Sequence, residues 1–109
     1  MKKGEIWIVE FPSSMNGHEQ AGSRPVIVLA DTEANISIII PSTSNLQSLR
    51  FPFTVEVKPS PSNGLSTTSV ALAFQMRAVD KKRIKKKIGI LEEKMMNELE
   101  GMIKKLLGF

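Results

Sequence analysis

The 109-residue chain contains no cysteine, so neither a disulfide framework nor a cysteine-based zinc site or nucleophile can be built. That absence suits a reducing cytoplasm. Histidine occurs once, at His18, which excludes a two-histidine acid and base pair within one chain. No apolar run approaches the roughly 18 residues that a bilayer crossing requires. Lys2 and Lys3 lead into Gly4 and Glu5 rather than into the apolar core of an export signal. A soluble, unexported protein with no membrane partner is expected. No serine sits in a GxSxG elbow. The carboxylates are scattered: Glu92 and Glu93 alone are adjacent, and neighbours on a helix project about 100° apart. Neither a two-metal cluster nor a cofactor is expected, and chemistry done here has to use polar and cationic side chains.

What is present fits one compact unit. With 41% apolar residues, the chain can bury one modest core, so a single domain over residues 1–109 is expected. A core of that size often gains from oligomerisation. Fifteen basic against eleven acidic residues give a net charge of +4 and a pI near 9.6, which favours a polyanionic partner.

Element by element, Glu5 to Phe11 (EIWIVEF) reads as a strand, with Ile6, Ile8 and Glu10 on one face and Trp7, Val9 and Phe11 on the other. Pro12 to Ser23 reads as a long polar loop, and the run VIVLA after Pro25 as a second strand. A turn over 31–35 leads to a third strand, Ile36 to Ile40, in a hairpin with the second. The Ser-, Thr-, Asn- and Gln-rich stretch from Pro41 to Arg50 reads as a loop, Phe53 to Val57 as a fourth strand, and Pro59 to Gly64 as a reversal. Thr67 to Phe74 reads as a fifth strand that continues or turns through Val79. Beyond Asp80, a plausible N-cap, Ile84, Ile88 and Leu91 recur at helical spacing, and Gly89 supplies a stop. A last helix is expected from about Glu92 to Leu107, with Met95, Met96, Leu99, Ile103 and Leu106 as its apolar stripe. Strands followed by helices indicate an antiparallel α+β domain, a small, partly closed barrel with a helix beside it.

Two polar clusters stand out. In GHEQAGSRP, Gly17 to Pro25, a loop delivers Arg24 to the mouth of the second strand, where Pro25 biases it towards extended geometry. A planar guanidinium binds two phosphate oxygens at once, though the same pattern fits Arg24 paired with an acid such as Glu19. Ser42, Thr43, Ser44 and Asn45 follow the third strand, close enough through the hairpin to meet Arg24 at one phosphate; capping of loop backbone is the simpler alternative. The run KKRIKKK, Lys81 to Lys87, offers a solvated helix face or a phosphate-attracting one.

GEIWIVEF, GHEQAGSRPVIVL, the third strand ending in PSTSN, and FQMRAVDKKRI together resemble, in order and spacing, the MazF/PemK/Kid toxins of toxin–antitoxin pairs. The resemblance spans essentially the whole chain, and its Gly-His-Glu-Gln-Ala-Gly-x-Arg-Pro element is the specific part. It implies the CcdB-like fold, a small SH3-like barrel with a C-terminal helix, and a homodimer. It also implies a metal-independent endoribonuclease for single-stranded RNA, restrained by an acidic antitoxin. The family's catalytic arginine falls on Arg24, its catalytic threonine on Thr43, and an active-site histidine of some members on His18. Glu19, Gln20, Ser42, Ser44, Gln75 and Arg77 are then the expected substrate-binding residues. One position departs: some members carry an acid just before the Gln-x-Arg of Gln75 to Arg77, and here it is Phe74, so that acid's proton-transfer role has no bearer.

Two rival readings remain at this level. A non-enzymatic topoisomerase poison of the CcdB kind shares the fold, but its Trp-Gly-Ile ending is not matched by Leu107-Gly108-Phe109. A catalytically degenerate toxin is the other, suggested by Phe74.

Overall fold

The computed structural model describes residues 1–11 and 22–109. Among these, seven strands precede one helix: β1 (Glu5–Phe11), β2 (Gly22–Asp31), β3 (Ile36–Thr43), β4 (Thr54–Val57), β5 (Ser69–Leu72), β6 (Arg77–Asp80), β7 (Ile84–Ile90) and α1 (Glu93–Leu107). All pairings are antiparallel, along the path β4-β5-β3-β2-β1-β7. The seventh strand of the sheet, β6, pairs with the first half of β3 (Ile36 to Ile39), while β5 takes its end (Ser42 and Thr43). Pro41, which has no N–H to donate, lies where the ladder passes from one partner to the other. The α+β order is as expected. The hydrogen-bonded path is open, however, with β4 and β7 as its ends among the described residues, rather than closed into a barrel.

Strand alternation builds two apolar clusters from consecutive residues, because successive side chains leave opposite faces. Ile6, Ile27 and Ile40 go to the main core with Val55, Val57, Ala71 and the helix residues Met96, Leu99 and Ile103. Val9, Phe11, Val26, Ile39 and Val79 form the second cluster, with Trp7 and Ile84 at its margin. The face assignment read for β1 is therefore the one observed. The helix stripe is also as expected, with Met95 partly buried against the core and Leu106 partly exposed.

Three segments differ from expectation. Pro41 to Thr43 belong to β3 and are buried, and a 3-10 turn over Leu46–Arg50 replaces the open loop. The fifth strand is shorter, Ser69–Leu72, and a 3-10 turn over Ala73–Gln75 hands the chain to β6. The expected helix after Asp80 is absent. Asp80 does cap a turn, accepting from the Lys82 N–H at 3.0 Å, but that 3-10 turn ends at Arg83 and the chain pairs with β1 as β7. A free edge on β1 supplies backbone partners to every other group of this segment, whereas a helix would crowd like charges four residues apart. Pairing also relieves charge: Lys87 meets Glu5 at 3.0 Å, and Lys81 meets Asp31 at 2.6 Å.

Glu5 is a buried carboxylate that braces β1 against β7. Burial raises its pKa, but the Lys2 N–H, the Trp7 indole N–H and Lys87 together outweigh that and hold it down to about 2.

Candidate active site

Arg24 lies inside β2, opposite Val9 of β1, rather than at the tip of a loop. The extended geometry imposed by Pro25 and the strand pairing agree there. The β2–β3 register pairs Val26 with Pro41. Carried two residues towards the strand ends, that register sets Arg24 across from Thr43. Both line one cleft of about 390 Å³, together with Ser42 and Ser44. The hairpin thus brings together the two polar clusters of the sequence.

Each group's hydrogen bonding limits what it can offer a ligand. Arg24 is partly buried, and its Nε has no hydrogen-bond partner among the described residues. Burial lowers its pKa, although a guanidinium stays charged near neutrality. A buried donor without an acceptor costs about 1–3 kcal/mol, and an anion on the guanidinium offsets such a cost. Thr43 is only 5% exposed, which corrects its expected place in an open loop after the third strand. Its Oγ1 accepts from the Asn45 N–H at 3.2 Å, so its own hydroxyl hydrogen is left to donate. Ser42 differs: its Oγ donates to the Pro25 carbonyl at 2.7 Å, clipping β2 to β3, and keeps only lone pairs for a ligand. Ser44 is exposed at the lip.

Gln75 and Arg77 do not line this cleft. Gln75 is exposed on the turn before β6, and the Arg77 guanidinium lies 5.5 Å from the centre of the Phe11 ring. His18, Glu19 and Gln20, and with them the suggested Glu19–Arg24 pair, lie outside the described residues.

The opposite wall was not picked out in the sequence. It consists of Gly64, Leu65, Ser66, Thr67 and Ser69, between the Pro-rich reversal and β5. The run from Ser66 to Ser69 is rich in hydroxyls, as 42–45 is, which is the signal that could have found it. Asn63 holds this wall. It is fully buried; its Oδ1 accepts from the Ser60 and Leu65 N–H groups, and its Nδ2 donates to the Lys58 carbonyl. Gly64, at φ +71°, backs onto the Ile88 carbonyl so closely that a Cβ would land on it. The wall is therefore tied to β7.

A family model described as PemK-like, MazF-like toxin of type II toxin–antitoxin systems matches residues 2–107. The chain is 31% identical to the endoribonuclease MazF of Staphylococcus saprophyticus, over 99% of this chain and 92% of that one. It is 30% identical to the endoribonuclease MazF of Staphylococcus epidermidis, with the same coverage. Its fold is similar to the crystal structure of MazF from Deinococcus radiodurans, with a TM-score of 0.80 and 26% identity, covering 100% of this chain and 97% of that one. The MazE–MazF structure from the same organism matches with a TM-score of 0.75 and 27% identity, over 100% of this chain and 96% of that one. With the family model covering nearly every residue, this chain belongs to the PemK-like, MazF-like toxins of type II toxin–antitoxin systems.

Proposed function

We propose that this chain is an endoribonuclease toxin that cuts single-stranded RNA without a metal ion and is held in check by an acidic antitoxin. The observation that carries this reading is the shared cleft, lined by both Arg24 and Thr43, whose hydroxyl hydrogen is free to donate. The MazF names of its relatives and the MazE–MazF structure support the nuclease and its antitoxin.

The reaction is the one that the family resemblance implies, and the donors suit it. A ribose 2′-oxygen attacks the adjacent phosphorus, the bond to the 5′-oxygen breaks, and a 2′,3′-cyclic phosphate and a 5′-hydroxyl remain. One proton leaves the 2′-hydroxyl and one is delivered to the departing 5′-oxygen. Negative charge grows on the phosphoryl oxygens as the transition state forms, and Arg24 and Thr43 are fixed donors for it. Arg24 does not act as the base, because a guanidinium keeps its proton near neutrality. His18 is the base candidate. Glu19, Gln20, Ser44, Gln75 and Arg77 bind the RNA, and Ser42 holds β2 and β3 in register beneath it.

The test is incubation of purified protein with a long single-stranded RNA in EDTA, followed by mapping of the new ends. Discrete cuts bearing 2′,3′-cyclic phosphate and 5′-hydroxyl termini are expected. A strict Mg²⁺ requirement, or 5′-phosphate ends, would sink the mechanism.

A further inference from the structure

Beside the cleft, the 3-10 turn over Leu46–Arg50 and the residue after it carry an exposed apolar patch. Phe51 is 42% exposed and Phe74 39% exposed, and their ring centres are 5.9 Å apart at 57°. The Arg50 guanidinium lies 5.0 Å from the centre of the Phe51 ring. Two large rings left half in water, with a cation on one of them, are poorly explained by packing. They are well explained as a surface for a flat, anionic polymer.

The placement is enforced by backbone. The Phe53 carbonyl accepts from the Ala73 N–H at 3.0 Å, and the Phe51 carbonyl accepts from Thr54 Oγ1 at 2.9 Å, so the segment before β4 is latched to the turn carrying Phe74. Phe53 itself adopts φ 60°, a left-handed backbone that favours glycine and that a bulky residue takes only where its surroundings demand it. The patch is also joined to the cleft along the chain. Ser44 lines the cleft, and Asn45 caps the turn that leads to Arg50 and Phe51. On the other side, Val70 pairs with Thr43, and Phe74 follows four residues later. β5 ends two residues after Val70 and a 3-10 turn carries the chain on to Phe74, so the ring stands at the end of the strand that pairs with Thr43.

We infer that Phe51 and Phe74, with Arg50, form a stacking platform for an unpaired base of the RNA flanking the cut, an assignment that rests on the nuclease reading above. Phe74 then has a role of its own. The rings read the base by its face, so the platform adds affinity and places the strand without strict sequence preference.

The probe is a short single-stranded RNA with a 2′-O-methyl group at the scissile position, which blocks the attacking oxygen and allows binding to be measured by fluorescence anisotropy. Phe74→Ala and Phe51→Ala should each weaken binding about ten- to a hundredfold, the range for losing one base–aromatic stack. Phe74→Tyr should restore it. An oligonucleotide lacking the stacked base should bind the wild type as weakly as Phe74→Ala binds the intact one, and combining the two changes should cost little more. Unchanged affinity in both alanine variants overturns the platform. An affinity loss that appears only with a change in sedimentation mass also overturns it, making the patch a contact between two copies of the chain. If the wild type itself neither binds nor cuts RNA, the nuclease reading fails instead.

Discussion

At the residue scale, the proposed chemistry rests on two side chains, Arg24 and Thr43. Arg24→Lys keeps the charge but loses the planar fork, so RNA binding should persist while cleavage falls about 10²- to 10³-fold, roughly 2.7–4 kcal/mol of transition-state stabilisation. Thr43→Val should cost cleavage a similar amount. Because Thr43 is buried and accepts from the Asn45 N–H, that variant should also lose about 1 kcal/mol of stability, visible as a lower denaturation midpoint. Acting on one phosphate, the two changes together should cost less than the product of the single losses, as single-turnover rates would show. Near-normal cleavage by a folded Arg24→Lys protein would make the arginine structural. Glu5 permits a separate test by pH. Its folded pKa of about 2 lies below the ordinary carboxylate value, so its contribution is present above about pH 4.5 and lost as pH falls towards 2. Glu5→Gln should therefore be less stable than the wild type at pH 7, and the gap should close on acidification. Asp31, also held down to about 2, keeps part of the acid sensitivity in the variant. A gap that stays constant from pH 7 to pH 2 would show that the Glu5 carboxylate adds nothing to folding.

At the element scale, the sequence was most readable where one period dominated. β1 is an apolar, β-favouring run at strand length and α1 carries an apolar stripe, and both were legible with their faces. The meeting of Arg24 and Thr43 was legible too, because a hairpin fixes which strand ends are neighbours. The 84–90 segment misled because Ile84, Ile88 and Leu91 satisfy helical spacing, while its strand identity depends on an edge of β1 some eighty residues earlier. Local pattern carries no information about that edge. The second wall of the cleft was hidden for a similar reason: Gly64 lies against Ile88 through tertiary packing alone. The change of element alters what the basic run can do. Lys81 and Lys87 are engaged with Asp31 and Glu5 at 2.6 and 3.0 Å, whereas the exposed Lys82 meets Asp80 only at 3.9 Å and Lys86 is exposed, so a role in attracting RNA falls first to Lys82 and Lys86. Replacing both with Gln should weaken RNA binding and reduce the slope of log K against log salt by about 0.7 for each phosphate that is no longer neutralised. An unchanged slope would leave the run as the charged edge that keeps β7 from pairing with another sheet.

At the scale of the whole molecule, the radius of gyration of 12.9 Å is what one folded unit of about this length should have, roughly 13 Å for 100 residues, which supports one domain over the chain. A chain this short leaves a large share of its surface in water, and the exposed residues include Ile90, Leu107 and Phe109 as well as the aromatic platform. A homodimer, as the family resemblance implies, would cover part of that apolar surface and couple folding to association. Unfolding of such a dimer separates two chains, so its free energy depends on concentration, by about 1.4 kcal/mol for each tenfold dilution. The thermal midpoint should then fall by a few degrees across a hundredfold dilution, while sedimentation at the high end gives twice the chain mass. Alanine at Phe51 or Phe74 should leave both readouts unchanged, since those rings are assigned to RNA. A midpoint independent of concentration, with the mass of one chain throughout, would mean that the folded monomer is self-sufficient and that the cleft works without a second copy.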